Sequence, residues 1–494
     1  MTSNSIFSPV TGLHNLSNES RIITTPWSRM VRGIGLGQYP VVYDPAVAAR
    51  ISYAFSLLAE KVTASNVYTQ FSRLLTELIL SVVNPTCCVA DTAVETALVP
   101  ILRTIRTETN PYWRLMASCI LIDAVAKLDL DRSLLSNDQL DFPSELVAML
   151  NEIQPNQIKD ENIGRHGDYE KLSAYTAVFI ALGQIGAQKQ LITSERNYIQ
   201  EALDTLDRVP APFFRGRGGS MLFSAIALIG RDTLIFDGKR DYMREMLEHL
   251  DRADELNIPP AFPQPMSPTF SKIYPLLTML NAIAISGRAE YLTYRKDRLA
   301  EAKKLLAATG RLERTHMGLY YIMALHNLGR LHEQLPNFDE FVTNFVNQWQ
   351  QIDPGKDFFL HGIAYSYLIE TAVVTGRTDL ITEEMLVRHA DAFADMIRDD
   401  TERANRPYPF AYALNMHGEI GRADGLFVSR ARYLGQSALE WIVDNLSKNG
   451  VAEGSRLYML DHALISYALR LRGSQSTETE LFRHFRFRLE ERKA

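Results

Sequence analysis

A chain of 494 residues with 46% hydrophobic residues is long enough to bury a large core, and a formal net charge of −6 supplies no global basic field for nucleic acid. Three cysteines, two of them adjacent at Cys87 and Cys88, cannot build a disulfide framework, which favours a reducing compartment. No basic or apolar targeting segment follows Met1, and the longest apolar run, Met221 to Ile229, is far short of the ~20 residues that span a bilayer. The expectation is a soluble, cytoplasmic protein without a membrane or nucleic-acid partner.

Residues 1–45 lack helical periodicity and hold Gly33, Gly35 and Gly37. Tyr39-Pro40 follows where a phosphate loop needs a helix to begin, so this segment reads as an irregular arm. Residues 46–160 read as an N-terminal helical region, with apolar positions at Leu57, Leu58, Val62, Phe71, Leu74, Leu75 and Leu78 and a further run from Tyr112 to Leu128. Within it, the polar stretch Ser136 to Asn162, with Pro143 and Pro155, reads as an excursion or a boundary.

Residues 161–494 carry a repeat. Apolar helical runs close on Gly-Arg at Gly230, Gly287, Gly329, Gly376 and Gly421, at intervals of 57, 42, 47 and 45 residues (230 to 287 to 329 to 376 to 421), with Gly186 and Gly473 at the flanks. Such an interval holds two helices and two turns, and glycine is the residue that accepts the left-handed conformation past a helix end. One helix of each pair is striped with charge, as in Arg196 to Val209 or Arg240 to Leu256. The other is apolar nearly all round, as in Tyr169 to Leu182, Ser220 to Ile229 or Thr269 to Ile285. The pattern predicts an all-α fold of helical hairpins, small-residue helices inside and charged helices outside, closed as an α/α toroid. An open superhelix is the competing arrangement.

The segments before the inner helices are expected to be loops converging on one mouth. Six share a composition, with arginine in five and histidine in four: Arg165-His166-Gly167-Asp168, Phe213 to Ser220, Arg314 to Gly318, Asp357 to Gly362, Asn405 to Phe410, and Ser455 to His462. The segment before Thr269 is the exception, proline-rich and uncharged. Guanidinium forks at Arg165, Arg215, Arg217, Arg406 and Arg456 suit a carboxylate or phosphate, with His316, Tyr365 and Tyr408 completing the substrate-binding wall. His166 with Asp168, His361, and His462 with Asp461 are the acid/base candidates. No metal-binding spacing and no cofactor motif is present, so no cofactor is expected.

Leu360-His361-Gly362-Ile363-Ala364 resembles an inner helix of lanthipeptide cyclases of the LanC type, a resemblance in layout that covers about residues 165 to 475. It implies a toroid and a peptide substrate. That family holds zinc through two cysteines and a histidine, whereas the segments around Tyr408 and Asp461 contain no cysteine, so only His361 carries over, as an acid. Asp129-Leu130-Asp131-Arg132 resembles the Asp-x-Asp-Asp acid of terpene cyclases with arginine in place of the last carboxylate. The expected function is a cytosolic cyclase or lyase acting, in a central cavity, on a peptide or isoprenoid natural-product precursor with an anionic group. The alternatives are a non-catalytic repeat scaffold for a protein partner, or a carbohydrate-active α/α-barrel enzyme using carboxylates such as Asp168, Glu170, Asp357 and Asp461.

Overall fold

The computed structural model describes residues 91–127, 130–137, 140–155, 167–236, 238–252 and 267–353, with single positions between 70 and 78 and between 364 and 388. These residues are mostly helical. They fall into two compact units: one runs over Pro143–Phe341, and the other takes the described residues before and after it. Among the described residues no helix is long and apolar enough to cross a membrane.

The second unit contains α1 (Asp91–Thr107), α2 (Pro111–Lys127) and a two-stranded ribbon of β1 (Ser136–Asn137) and β2 (Leu140–Asp141). Helix α2 is buried on every side, at Leu115, Met116, Cys119, Ile120 and Asp123. The polar stretch after it holds the division between the two units, which falls between Phe142 and Pro143. Its ribbon leads directly into α3 (Phe142–Glu152), where Pro143 occupies the second helical position, whose N–H has no partner within a helix anyway.

The first unit is a series of hairpins. In order come α4 (Gly167–Gln184), α5 (Tyr198–Arg208), α6 (Pro212–Leu228), α7 (Tyr242–Arg252), α8 (Pro268–Ser286), α9 (Arg298–Ala308), α10 (Arg311–Asn327) and the single turn α11 (Leu331–Gln334); α12 (Phe338–Gln350) follows and belongs to the second unit from Val342 onward. Helices α4, α6, α8 and α10 are the inner layer and pack against one another in that order. Residues near their N-termini meet (Tyr169 with Phe214, Phe270 with His316), and Asn281 meets Asn327 near the other end. The four therefore run parallel.

The Gly-Arg signal ends these helices as expected. Gly186, Gly230, Gly287 and Gly329 have φ of 72°, 71°, 67° and 68°. In each case the next residue's N–H returns to a carbonyl five positions back: Ala187 to Leu182, Arg231 to Ile226, Arg288 to Ile283 and Arg330 to Leu325, at 2.8, 3.0, 3.1 and 2.8 Å. The glycine's own N–H closes the smaller ring, which satisfies the last carbonyls of the helix. The arginine side chains pair locally, Arg288 with Glu290, Arg330 with Glu333 and Arg377 with Asp379. Gly376, Gly421 and Gly473 lie outside the described residues.

The outer helices share an N-terminal cassette: Arg196-Asn197-Tyr198 with Glu201, Arg240-Asp241-Tyr242 with Glu245, and Lys296-Asp297-Arg298 with Glu301. Asn197, Asp241 and Asp297 cap their helices by accepting backbone N–H bonds. The basic residue before each cap binds the glutamate on the first turn, at 2.7, 2.6 and 2.5 Å. The cassettes also reach back to the penultimate residue of the preceding outer helix: Arg196 to Asn151, Arg240 to Asp207, and Arg298 with Lys296 to Asp251. Successive hairpins are thereby keyed to one register.

Helix α6 starts earlier than the periodicity suggests. Phe213 to Gly219 form its first turns rather than a loop. Its glycines are points of close approach: a Cβ at Gly216 would stand 2.9 Å from Pro275 Cβ, one at Gly218 2.7 Å from Leu172 Cδ2, and one at Gly219 2.6 Å from Met246 Cε. Alanine at an ordinary helical glycine gains up to ~1 kcal/mol. Gly216→Ala is expected to lose ~1–3 kcal/mol instead, because the proline ring cannot swing aside. Urea unfolding measures the sign.

Candidate functional site

The residues that the sequence places on converging loops lie on the first turns of the inner helices. Asp168 belongs to α4, Arg215 and Arg217 to α6, and His316 to α10. Parallel inner helices gather these turns at one end of the first unit, where each helix also presents the positive end of its dipole.

Tyr274 of α8 is the centre of this end. The Arg217 guanidinium lies 5.5 Å from its ring centroid. Phe213 and Phe270 stack on it at 5.8 and 5.7 Å. Tyr320 meets it edge-on at 5.1 Å, with the two phenol oxygens 3.2 Å apart. His316 completes the group, 6.0 Å from Tyr274 and 5.4 Å from Tyr320. Arg217 is 8% exposed and Tyr274 7%, whereas His316 is half-buried. Beside it, the Glu313 carboxylate accepts bonds from Ser267 N and Oγ at 2.9 and 2.6 Å, holding the start of α8 against α10.

Of the expected site residues, Arg217 and His316 are both brought against the Tyr274 ring. Arg215, two residues from Arg217 and so on nearly the opposite face of the helix, turns to the outer layer and pairs with Asp207 at 3.0 Å. Asp168 is buried and paired with Arg208 at 3.1 Å. Tyr365, in the second unit, is buried and stacked on Trp349 at 4.7 Å, and burial holds its phenol well above the ordinary tyrosine range. Arg165, His166, His361, Arg406, Tyr408, Arg456, Asp461 and His462 lie outside the described residues. Asp131, from the Asp-x-Asp-Asp-like string, caps a short turn by accepting from Ser133 N at 2.9 Å, and those bonds lower its pKa. Among the described residues no group of three or more His, Cys, Asp or Glu side chains could hold a metal ion.

Tyr274 and Phe270 are the residues that sequence reasoning passed over, because the segment before α8 holds no arginine or histidine. A usable signal existed. Tyr274 and Tyr320 stand 46 positions apart, as do Phe270 and His316, which places each pair at one phase of the repeat.

The arrangement sets a guanidinium over an aromatic ring, with an imidazole within a ring's width of the same tyrosine. Two arginines near the N-terminus of α6 oppose that helix's own dipole, and its first turn carries no acid. Asp207 answers Arg215. Arg217 is directed into the aromatic cluster. Comparison of the chain with protein-family models, curated proteins and solved structures finds no match to any of the three.

A neighbouring histidine gives this end a pH dependence. Burial first, then the Arg215 and Arg252 guanidinium groups, hold His249 below its ordinary pKa of 6.5, against a bond with the backbone of Pro212. As the pH falls below 6.5 the unfolded chain takes up this proton first. Stability carried by the neutral ring is therefore complete above that pH and declines toward the lowered folded value. Urea midpoints measured down through this window are expected to fall less steeply in His249→Gln than in the parent chain.

Proposed function

We propose that the protein is a cytosolic enzyme that binds a small-molecule or peptide substrate through its anionic group at the N-terminal ends of the inner helices. The observation that carries this reading is Arg217, buried near the start of α6 against its helix dipole and laid over Tyr274, with His316 against the same ring. A guanidinium fork matches a carboxylate or phosphate by paired, charge-assisted hydrogen bonds. The aromatic rings around it suit an apolar portion of the same molecule. An imidazole can pass a proton near neutral pH, which fits a cyclase or lyase step on a peptide or isoprenoid precursor. In this reading the hairpins close as an α/α toroid, and His166, His361 and His462 remain the further acid/base candidates.

A second reading, a scaffold that binds a protein partner, draws on the repeated cassette that keys one hairpin to the next.

Calorimetric titration with pyrophosphate, a prenyl diphosphate and a short acidic peptide separates the two. The enzyme reading expects one of these probes to bind, at least ~10-fold more weakly to Arg217→Gln, since a charged hydrogen-bond partner contributes ~1.5–3 kcal/mol. Arg217→Lys keeps the charge but loses the fork, and should fall between the two. Failure of all three probes to bind, or equal binding to a folded Arg217→Gln chain, contradicts it.

A further inference from the structure

A second cluster of titratable groups lies between α4 and α5, apart from the aromatic cluster. Asp168, Lys171 and Tyr175 follow one another along one face of α4, a turn apart. Both carboxylates that could neutralise Lys171 are already engaged. Asp168, the turn before it, accepts from Arg208 Nε at 3.1 Å. Glu201, facing the turn after it, accepts from Arg196 at 2.8 and 2.7 Å and from the Tyr175 hydroxyl at 3.2 Å. The half-buried Lys171 ammonium is left with one neutral acceptor among the described residues, the Ile153 carbonyl just past α3, at 3.0 Å.

We propose that Lys171 is a site of acylation by small activated acyl groups. An amine attacks such a group only after losing its proton, and a lysine held by one carbonyl beside two guanidinium groups gives that proton up more readily than one paired with a carboxylate. In the same direction, burial first and the Arg208 guanidinium next hold its pKa below the ordinary lysine value, with Glu201 opposing. With an acyl phosphate as donor, one proton of the ammonium passes to solvent before attack, and a second leaves Nζ with the departing phosphate as the adduct collapses. The Nζ–C bond forms, the C–O bond to phosphate breaks, and inorganic phosphate leaves. The amide retains one N–H, enough to keep the bond to Ile153, so the product is compatible with the fold. Other lysines differ. Lys296 is paired with Asp251 and Glu301, and Lys303 and Lys304 are exposed.

The test is acetyl phosphate on the full chain near pH 7.5, with occupancy of each lysine followed over time by peptide mass spectrometry. Lys171 is expected to be acetylated several-fold faster than Lys303 and Lys304. Arg208→Gln removes a guanidinium charge that depresses the pKa of Lys171, and should slow that site several-fold while leaving Lys303 and Lys304 unchanged. Lys171 reacting no faster than the two exposed lysines in the parent chain, or at an unaltered rate in folded Arg208→Gln, overturns the proposal.

Discussion

The close approach of α6 to its neighbours is the constraint on which the rest of the first unit depends. Gly216, Gly218 and Gly219 face three different directions, toward Pro275, Leu172 and Met246. A side chain at Gly216 meets the Pro275 ring, whereas one at Gly218 or Gly219 meets the movable ends of Leu172 and Met246, so the contact with α8 is the one that most requires glycine. This proximity places Phe213 and Arg217 of α6 on Tyr274 of α8, and α8 in turn carries Tyr274 to Tyr320 and His316 of α10. A looser α6 would leave the same residues on separate helices.

The outer layer plays a different part. Its ion pairs are mostly a third or more exposed, as with Arg240 and Glu245 at 33% and 44%, and such pairs contribute only ~0.2–1 kcal/mol each. Arg298 is the exception, 1% exposed and tied to Asp251. These pairs act chiefly on register, because each cassette recognises one residue near the end of the outer helix before it. Inner packing supplies the stability and the outer keys fix the order.

Much of this was legible in the sequence. Gly-Arg marked true helix ends, and the division between apolar and charge-striped helices matches the inner and outer layers of the first unit. The misreadings have physical causes. Glycines at 216, 218 and 219 resemble a loop when only propensity is weighed, because what they accommodate is a neighbour distant in sequence. Tyr274 went unnoticed because the search was for charge, whereas the centre of the cluster is a ring whose partners come from other hairpins. The engagement of Arg215 by Asp207 likewise could not be read from spacing, since it depends on which way one residue of α6 faces.

The most direct test of this account is native-state hydrogen exchange across residues 167–327. If α6 locks the inner layer together, the central amides of α4, α6, α8 and α10 exchange slowest and at one common opening free energy, with α5, α7 and α9 opening earlier. If α6 opens independently of α4 and α8, or as readily as the outer helices, the glycine contacts do not hold the layer together and the account is wrong.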